Sequence, residues 1–248
     1  MDLKERLPKG ARRHPWEIAR SKFILNLLRR YELTSCSNWL DVGTGDAWLA
    51  SQISRSIIGL SRFVGWDINF SDDDIATLGN DAPIELMSET PTGQFEVILM
   101  LDVLEHIEND TTFLQDAVFH LLDSNGWILI TVPAYQFLFS EHDRMLRHFR
   151  RYSPNACRRL IMDSGLEIVN QGGLYSSLLL ARSLQNLLEK RRKTKVEEPT
   201  ALWKHGDLVT NSFAKVLEIE GEFDSWFSRR SRKILPGLSY WALCRKAY

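Results

Sequence analysis

The segment Leu40-Asp41-Val42-Gly43-Thr44-Gly45-Asp46-Ala47 constrains this chain more than any other. Residues 39–42 have the length and apolar character of a short buried strand. Residues 46–56 carry Leu49, Ala50 and Ile53 on one helical face. The glycines between them permit a tight turn and a close approach of backbone to a ligand, and the helix start offers unpaired N–H groups. The next predicted strand, 63–66, runs into Asp67, whose two carboxylate oxygens suit a pair of ribose hydroxyls.

The same rhythm continues along the chain. A helix is predicted over 15–31, with Pro15 in its first turn, and a capped helix start at Ser71 with Asp72, Asp73 and Asp74. Strands are predicted over 84–87, 95–101, 127–132 and 166–169. Helices are predicted over 111–122 and from Ser153-Pro154 to about Gly165, with a turn at Asn125-Gly126. The 95–101 run is almost wholly apolar, as befits a strand covered on both faces. Strands alternating with helices imply an α/β fold with a parallel sheet and helices on both faces. The stretch 174–235 breaks the rhythm with helical patterns over 176–193 and 207–227, joined by a polar stretch containing Pro199. An alternating run, 238–245, then follows Pro236-Gly237. The expectation is a single domain: an N-terminal lid helix (1–35), a ligand-binding core (36–173), a helical insertion (174–235) and a final strand (236–248).

Composition narrows the function classes. An apolar content of 44% supports a large core, and a formal net charge of −1 offers no global attraction to nucleic acid, so none is expected as a partner. Cys36, Cys157 and Cys244 lie far apart with no CxxC spacing, which fits a reduced compartment and suggests no metal. The N-terminal residues lack an apolar signal core. The longest apolar stretch, near 174–188, is interrupted by Arg182. A cytoplasmic location is expected.

Two ligand classes share this geography. A dinucleotide site needs G-x-G-x-x-G, but the third glycine position counted from Gly43 holds Trp48. The pattern here is instead acidic, then alternating glycines: Asp41, Gly43, Gly45, with Ala47 as the third small residue. Together with Gly65-Trp66-Asp67, Leu101-Asp102-Val103-Leu104-Glu105-His106-Ile107 and 126–133, in that order, it resembles class I S-adenosylmethionine-dependent methyltransferases of the small-molecule type (type 11/12-like), up to about residue 170. The resemblance implies a Rossmann-like seven-stranded sheet, order 3-2-1-4-5-7-6, with an antiparallel seventh strand, which 238–245 would form. It implies S-adenosylmethionine as cofactor and S-adenosylhomocysteine as its product. It sets Asp41, Gly43, Gly45 and Asp46 around the methionine end, Asp67 and Ile68 at the ribose, Ser88 and Glu89 near the adenine, and Leu101 and Asp102 along the cleft. Trp16 and Arg20, four apart on the first helix, would close over the cofactor, Arg20 meeting its carboxylate. Asp46 and Asp102 also fit the simpler role of caps, and Glu105 that of a surface or helix-start charge.

Methyl transfer from a sulfonium is a direct displacement in which alignment alone can supply roughly 7 kcal/mol. An oxygen or nitrogen acceptor also needs a base. The long stretch 133–153 carries His-Asp and then His-Phe-Arg-Arg-Tyr-Ser, matching a block in a subset of similar enzymes. His142 is the expected base, oriented by Asp143, with His148 and His106 as alternates. Tyr135, Arg151 and Tyr152 are the expected acceptor-binding residues, though Arg151 could instead pair with Asp143 and hold the loop. The inserted helices fit a cap on the sheet or a homodimer face. Their apolar rows beside basic residues also fit a peripheral membrane contact and a lipid- or carrier-linked acceptor. The competing functions are a non-catalytic cofactor-binding or interaction module and an NAD-dependent oxidoreductase.

Overall fold

The centre of the sheet is β4 (Phe95–Leu101), buried along nearly its whole length because both of its faces are apolar. Val97, Leu99 and Leu101 pack on one side of the sheet, and Ile98 and Met100 on the other. This is a computed structural model, and it describes residues 12–78, 83–192, 203, 205–231 and 233–247. β1 (Asn38–Val42) lies parallel to β4, and β2 (Arg62–Trp66) and β3 (Glu85–Met87) extend the sheet to that edge. On the other side β5 (Leu122–Pro133) is parallel to β4. β7 (Ser239–Lys246) runs antiparallel between β5 and β6 (Leu166–Leu174). The order β3-β2-β1-β4-β5-β7-β6 is the one the resemblance implies.

Helices cover both faces. α1 (Pro15–Arg30) starts at a capping box: His14 Nδ1 accepts the Trp16 N–H at 3.3 Å, and Glu17 accepts the His14 N–H at 3.1 Å. Its Phe23, Ile24 and Leu27 join Trp39, Leu99 and Trp241 in one core layer. α8 (Asp207–Ser231) lies against α1 and β6, held to α1 by Lys22–Glu218 at 3.2 Å and Arg30–Glu222 at 2.8 Å. The second inserted helix is therefore part of the layer that covers the sheet. α4 (Asp110–Asp116) and α6 (Pro154–Asp163) cover the opposite face. α2 (Trp48–Ser54) and α3 (Asp72–Leu78) follow β1 and β2, α5 (Glu141–Met145) lies in the loop after β5, and α7 (Ser176–Arg192) follows β6. No described helix is long and apolar enough to cross a membrane.

Several boundaries differ from the sequence expectation. α2 begins at Trp48, not Asp46, because Ala47 is left-handed (φ 57°) and stops helical winding there. The helix expected over 111–122 ends regular winding at Asp116 and closes with a wider π-turn, Ala117–Leu121. The β4–β5 register jumps from Phe95 opposite Leu122 to Val97 opposite Trp127, so 123–126, including Asn125-Gly126, protrude from the ladder. β6 continues past residue 169 to Leu174, where Gly172 and Gly173 pass closely under Trp241 and the 235–237 backbone. Residues 1–11 of the expected lid, the end of the first inserted helix at 193 and the Pro199 connection lie outside the described residues.

Candidate active site

The carboxyl ends of β1, β2 and β4 open into a cavity of about 1070 Å³. Gly43 (φ 66°) turns the chain out of β1, with its N–H on Trp66 O at 2.7 Å. A side chain there would meet Val103 at 2.9 Å. Gly45 (φ 58°) donates its N–H to Asp67 Oδ2 at 3.1 Å, while Asp67 Oδ1 accepts from the Asn69 backbone and side-chain nitrogens at 3.0 Å. Gly43, Asp67, Ile68, Leu101 and Asp102 are in the cavity wall; Asp41, Gly45 and Asp46 are not part of it. Asp41 accepts from Thr44 Oγ1 at 2.7 Å, and burial pushes its pKa up to about 6. Asp46 accepts the Trp48 N–H at the start of α2 (3.3 Å) and pairs with Arg13. A carboxylate thus occupies the helix start where a dinucleotide would place its pyrophosphate.

α1 brings Trp16 and Arg20 to the same cavity, with the guanidinium 5.9 Å from the indole ring. There Arg20 also donates to protein partners, Asp102 Oδ2 and Thr131 Oγ1, each at 2.6 Å. The Thr131 hydroxyl in turn donates to Asp102 Oδ1 at 3.0 Å. Burial works to raise the Asp102 pKa, but Arg20 and Thr131 outweigh it and hold the carboxyl below its ordinary range. Asp102 itself is left-handed (φ 59°), more than a simple cap requires. Sequence reasoning missed Thr131. Its signal is register: it stands opposite Leu101 across the β4–β5 ladder.

The loop after β5 is organised by Asp143, which is fully buried. Its Oδ1 accepts from Arg151 Nε at 2.7 Å and lies 3.1 Å from His148 Nδ1. Its Oδ2 accepts from Ser140 N at 2.8 Å, Ser140 Oγ at 2.9 Å and Arg151 Nη2 at 3.2 Å. Burial would raise this acid, yet these donors hold it well below the carboxylate range. Asp143 therefore orients His148, not the expected His142, and Arg151 takes the loop-holding role. His142, His148 and His106 all line the cavity, the rings of His106 and His148 lying perpendicular with centroids 4.5 Å apart.

Three further residues stand elsewhere than expected. Tyr152 is buried, its hydroxyl 2.6 Å from Asp110 Oδ2 and 3.0 Å from Leu104 O, so it braces the loop and has no face toward an acceptor. Tyr135 donates its backbone N–H to Tyr152 O and stands outside the cavity wall. Glu105 is no surface charge: it is fully buried in the cavity wall, and burial, with the Asp102 charge nearby, pushes its pKa well up. Although the sequence shows no metal-ligand spacing, one ligand atom each of Glu105, His106 and His148 lies within 4.8 Å of the other two.

A family model described as a methyltransferase domain matches residues 16–198, well over half of the chain. The chain belongs to this family. It is an S-adenosylmethionine-dependent methyltransferase, and solved structures show the same fold. A proposed sarcosine dimethylglycine methyltransferase from Galdieria sulphuraria superimposes with a TM-score of 0.55 at 16% identity, over 92% of this methyltransferase and 84% of that chain. A SAM-dependent methyltransferase from Archaeoglobus fulgidus gives 0.51 at 16%, over 91% and 94%. Magnesium protoporphyrin IX methyltransferase from Synechocystis PCC 6803, with bound SAH, gives 0.50 at 15%, over 63% and 75%. Comparison with the curated proteins gives no match. The site suits the methyltransferase's cofactor. The cavity is at the upper end of ordinary ligand pockets, large enough for a nucleoside and an acceptor together, and its walls are mostly apolar with an acidic side chain, Asp67, at the end of β2.

Proposed function

We propose that the methyltransferase moves the methyl group by direct displacement to an oxygen, nitrogen or carbon nucleophile of a small-molecule or carrier- or lipid-linked metabolite. The observation that carries this reading is that one cavity is shared by the strand ends (Gly43, Asp67, Leu101), the histidine-bearing loop (His142, His148) and α7 (Leu178, Arg182). S-adenosylmethionine supplies an electrophilic methyl on a positive sulfur. In this reading Asp67 takes the ribose hydroxyls and Ile68 lies along the nucleoside. The turn built by Asp41, Gly43 and Gly45 receives the methionine end, and Asp102, held by Arg20, lines the cleft beside it. His142 takes the acceptor's proton. Asp143 acts as a positioning residue, because it ties α5 to Arg151 and so fixes the segment that carries His142.

The apolar wall favours an apolar acceptor. α7 contributes Leu178 to the cavity while Leu180, Leu184 and Leu187 of the same helix are exposed. α8 also exposes Phe213, Val216, Phe223 and Trp226 at helical spacing, with Arg229, Arg230 and Lys233 beyond them. Such rows suit a membrane surface that delivers a lipid-linked acceptor. The test is transfer of labelled methyl from S-adenosylmethionine to a panel of polar, aromatic and prenylated acceptors. Labelled product that is lost in His142→Asn supports the reading. An intact cofactor site with no labelled product from any acceptor class sinks it.

A further inference from the structure

Asp102, Glu105 and Asp143 line the cavity together with Arg20 and Arg151. Asp102 pairs with Arg20 and Asp143 with Arg151. Glu105 is left over: it is fully buried, and among the described residues neither of its carboxylate oxygens has a hydrogen-bond partner. A carboxylate held out of water without a partner is costly, so such a group ordinarily acquires a proton or a cation. The neighbours of Glu105 are suited to the second. Ligand atoms of Glu105, His106 and His148 lie within 4.8 Å of one another. Tetrahedral zinc with bonds near 2.1 Å sets its ligands about 3.4 Å apart, so closing this group from 4.8 Å takes at most about 1.4 Å, within side-chain adjustment. His148 is already prepared as a ligand. Its Nδ1 is 3.1 Å from Asp143 Oδ1, which leaves Nε2 for coordination, and Arg151 and Ser140 hold that Asp143 in turn. A carboxylate behind a ligating histidine fixes the ring and strengthens it as a donor.

We infer that Glu105, His106 and His148 form a binding site for a divalent first-row cation of the zinc type, with its open positions toward the cavity. Two imidazoles with one carboxylate suit zinc, cobalt or iron; magnesium and calcium prefer all-oxygen sets. The inference stands apart from the methyl-transfer reading. One clause of it rests on that reading: the open positions would receive the acceptor's heteroatom, next to His142.

The full chain, stripped by dialysis against a chelator, is titrated with Zn2+ by calorimetry and with Co2+ by visible absorption. A single saturable event is expected, with ligand-field bands of a four- or five-coordinate cobalt site. Glu105→Gln and His148→Gln should each weaken Zn2+ binding tenfold or more, while His120→Gln, at an exposed position, leaves it unchanged. Should Glu105→Gln not fold, His106→Gln takes its place beside His148→Gln. S-adenosylmethionine binding is measured on the same samples. Cofactor binding without saturable metal binding, or metal binding that survives these substitutions, overturns the inference and leaves the methyltransferase reading intact.

Discussion

Arg20 of α1 donates to Asp102 at the end of β4 at 2.6 Å, joining residues 82 positions apart. This bond ties a helix that borders the cavity to the strand that ends in its wall. Arg20→Leu is expected to cost about 2–4 kcal/mol by leaving Asp102 without its cation, and to weaken S-adenosylmethionine binding at least tenfold; Arg20→Lys should recover part of both. Because the folded pKa of Asp102 is depressed, its contribution is present above its unfolded pKa of about 3.9 and is lost as pH falls through the lower folded value. Urea unfolding should therefore show the gap between wild type and Arg20→Leu narrowing in acid.

Asp67 offers two oxygens at the end of β2. Asp67→Ala is expected to raise the Kd for S-adenosylmethionine and S-adenosylhomocysteine tenfold to a hundredfold, the net loss of about one hydrogen bond to a charged group. Calorimetry with NAD in parallel should give no heat. Binding of NAD would reverse the ligand assignment.

Asp41 behaves oppositely to Asp102 on titration. Its folded pKa, raised by burial to about 6, means the native state holds its proton at a pH where the unfolded chain has lost it. Its contribution is complete below about pH 4 and is lost as pH rises through 6, a change of about 3 kcal/mol. Asp41→Asn should remove that slope. Unfolding free energies measured from pH 4 to 7 for both proteins decide it.

Tyr152 separates bracing from binding. Tyr152→Phe deletes its bond to Asp110, which keeps Arg150 at 2.7 Å. The expected cost is about 1–2 kcal/mol in stability, with cofactor Kd and KM for any acceptor unchanged. A selective rise in KM would restore Tyr152 to the acceptor site.

Leu180 and Leu184 are exposed on α7. The lipid-linked reading expects the chain to co-sediment with anionic vesicles and less with neutral ones, and Leu180→Ser with Leu184→Ser to reduce this severalfold while cofactor binding persists. Equal recovery with both vesicle types would leave the basic residues without a membrane role, and recovery with neither would leave the apolar rows without one.

The sheet was legible because its information is local. An apolar run such as 95–101 has no other place than the middle of a covered sheet, and Asp41-Val42-Gly43-Thr44-Gly45 has few conformations besides a strand-ending turn. Asp67 followed from the same turn, because the next strand must end beside it. Of the side-chain partnerships, the sequence offered Arg151 with Asp143 but not the others. His142 precedes Asp143 directly, yet residues adjacent on a helix point apart, and the Asp143 carboxylate reaches His148 and Arg151 on the returning loop. Arg20 finds Asp102 and Thr131 only because α1 crosses the ends of β4 and β5.

The sequence by itself thus determined the order of elements and the turn that ends β1, since backbone preference and apolar periodicity act over a few residues; the class of cofactor followed from the family resemblance of the motifs around that turn. Tertiary structure decided which charges neutralise one another and, among the described residues, left Glu105 without a hydrogen-bond partner. Glu105 shows the reason: adjacent to a histidine in a strand-end loop it is indistinguishable from a surface charge, and only the packing of the 133–153 loop over it removes it from water and sets it beside His148.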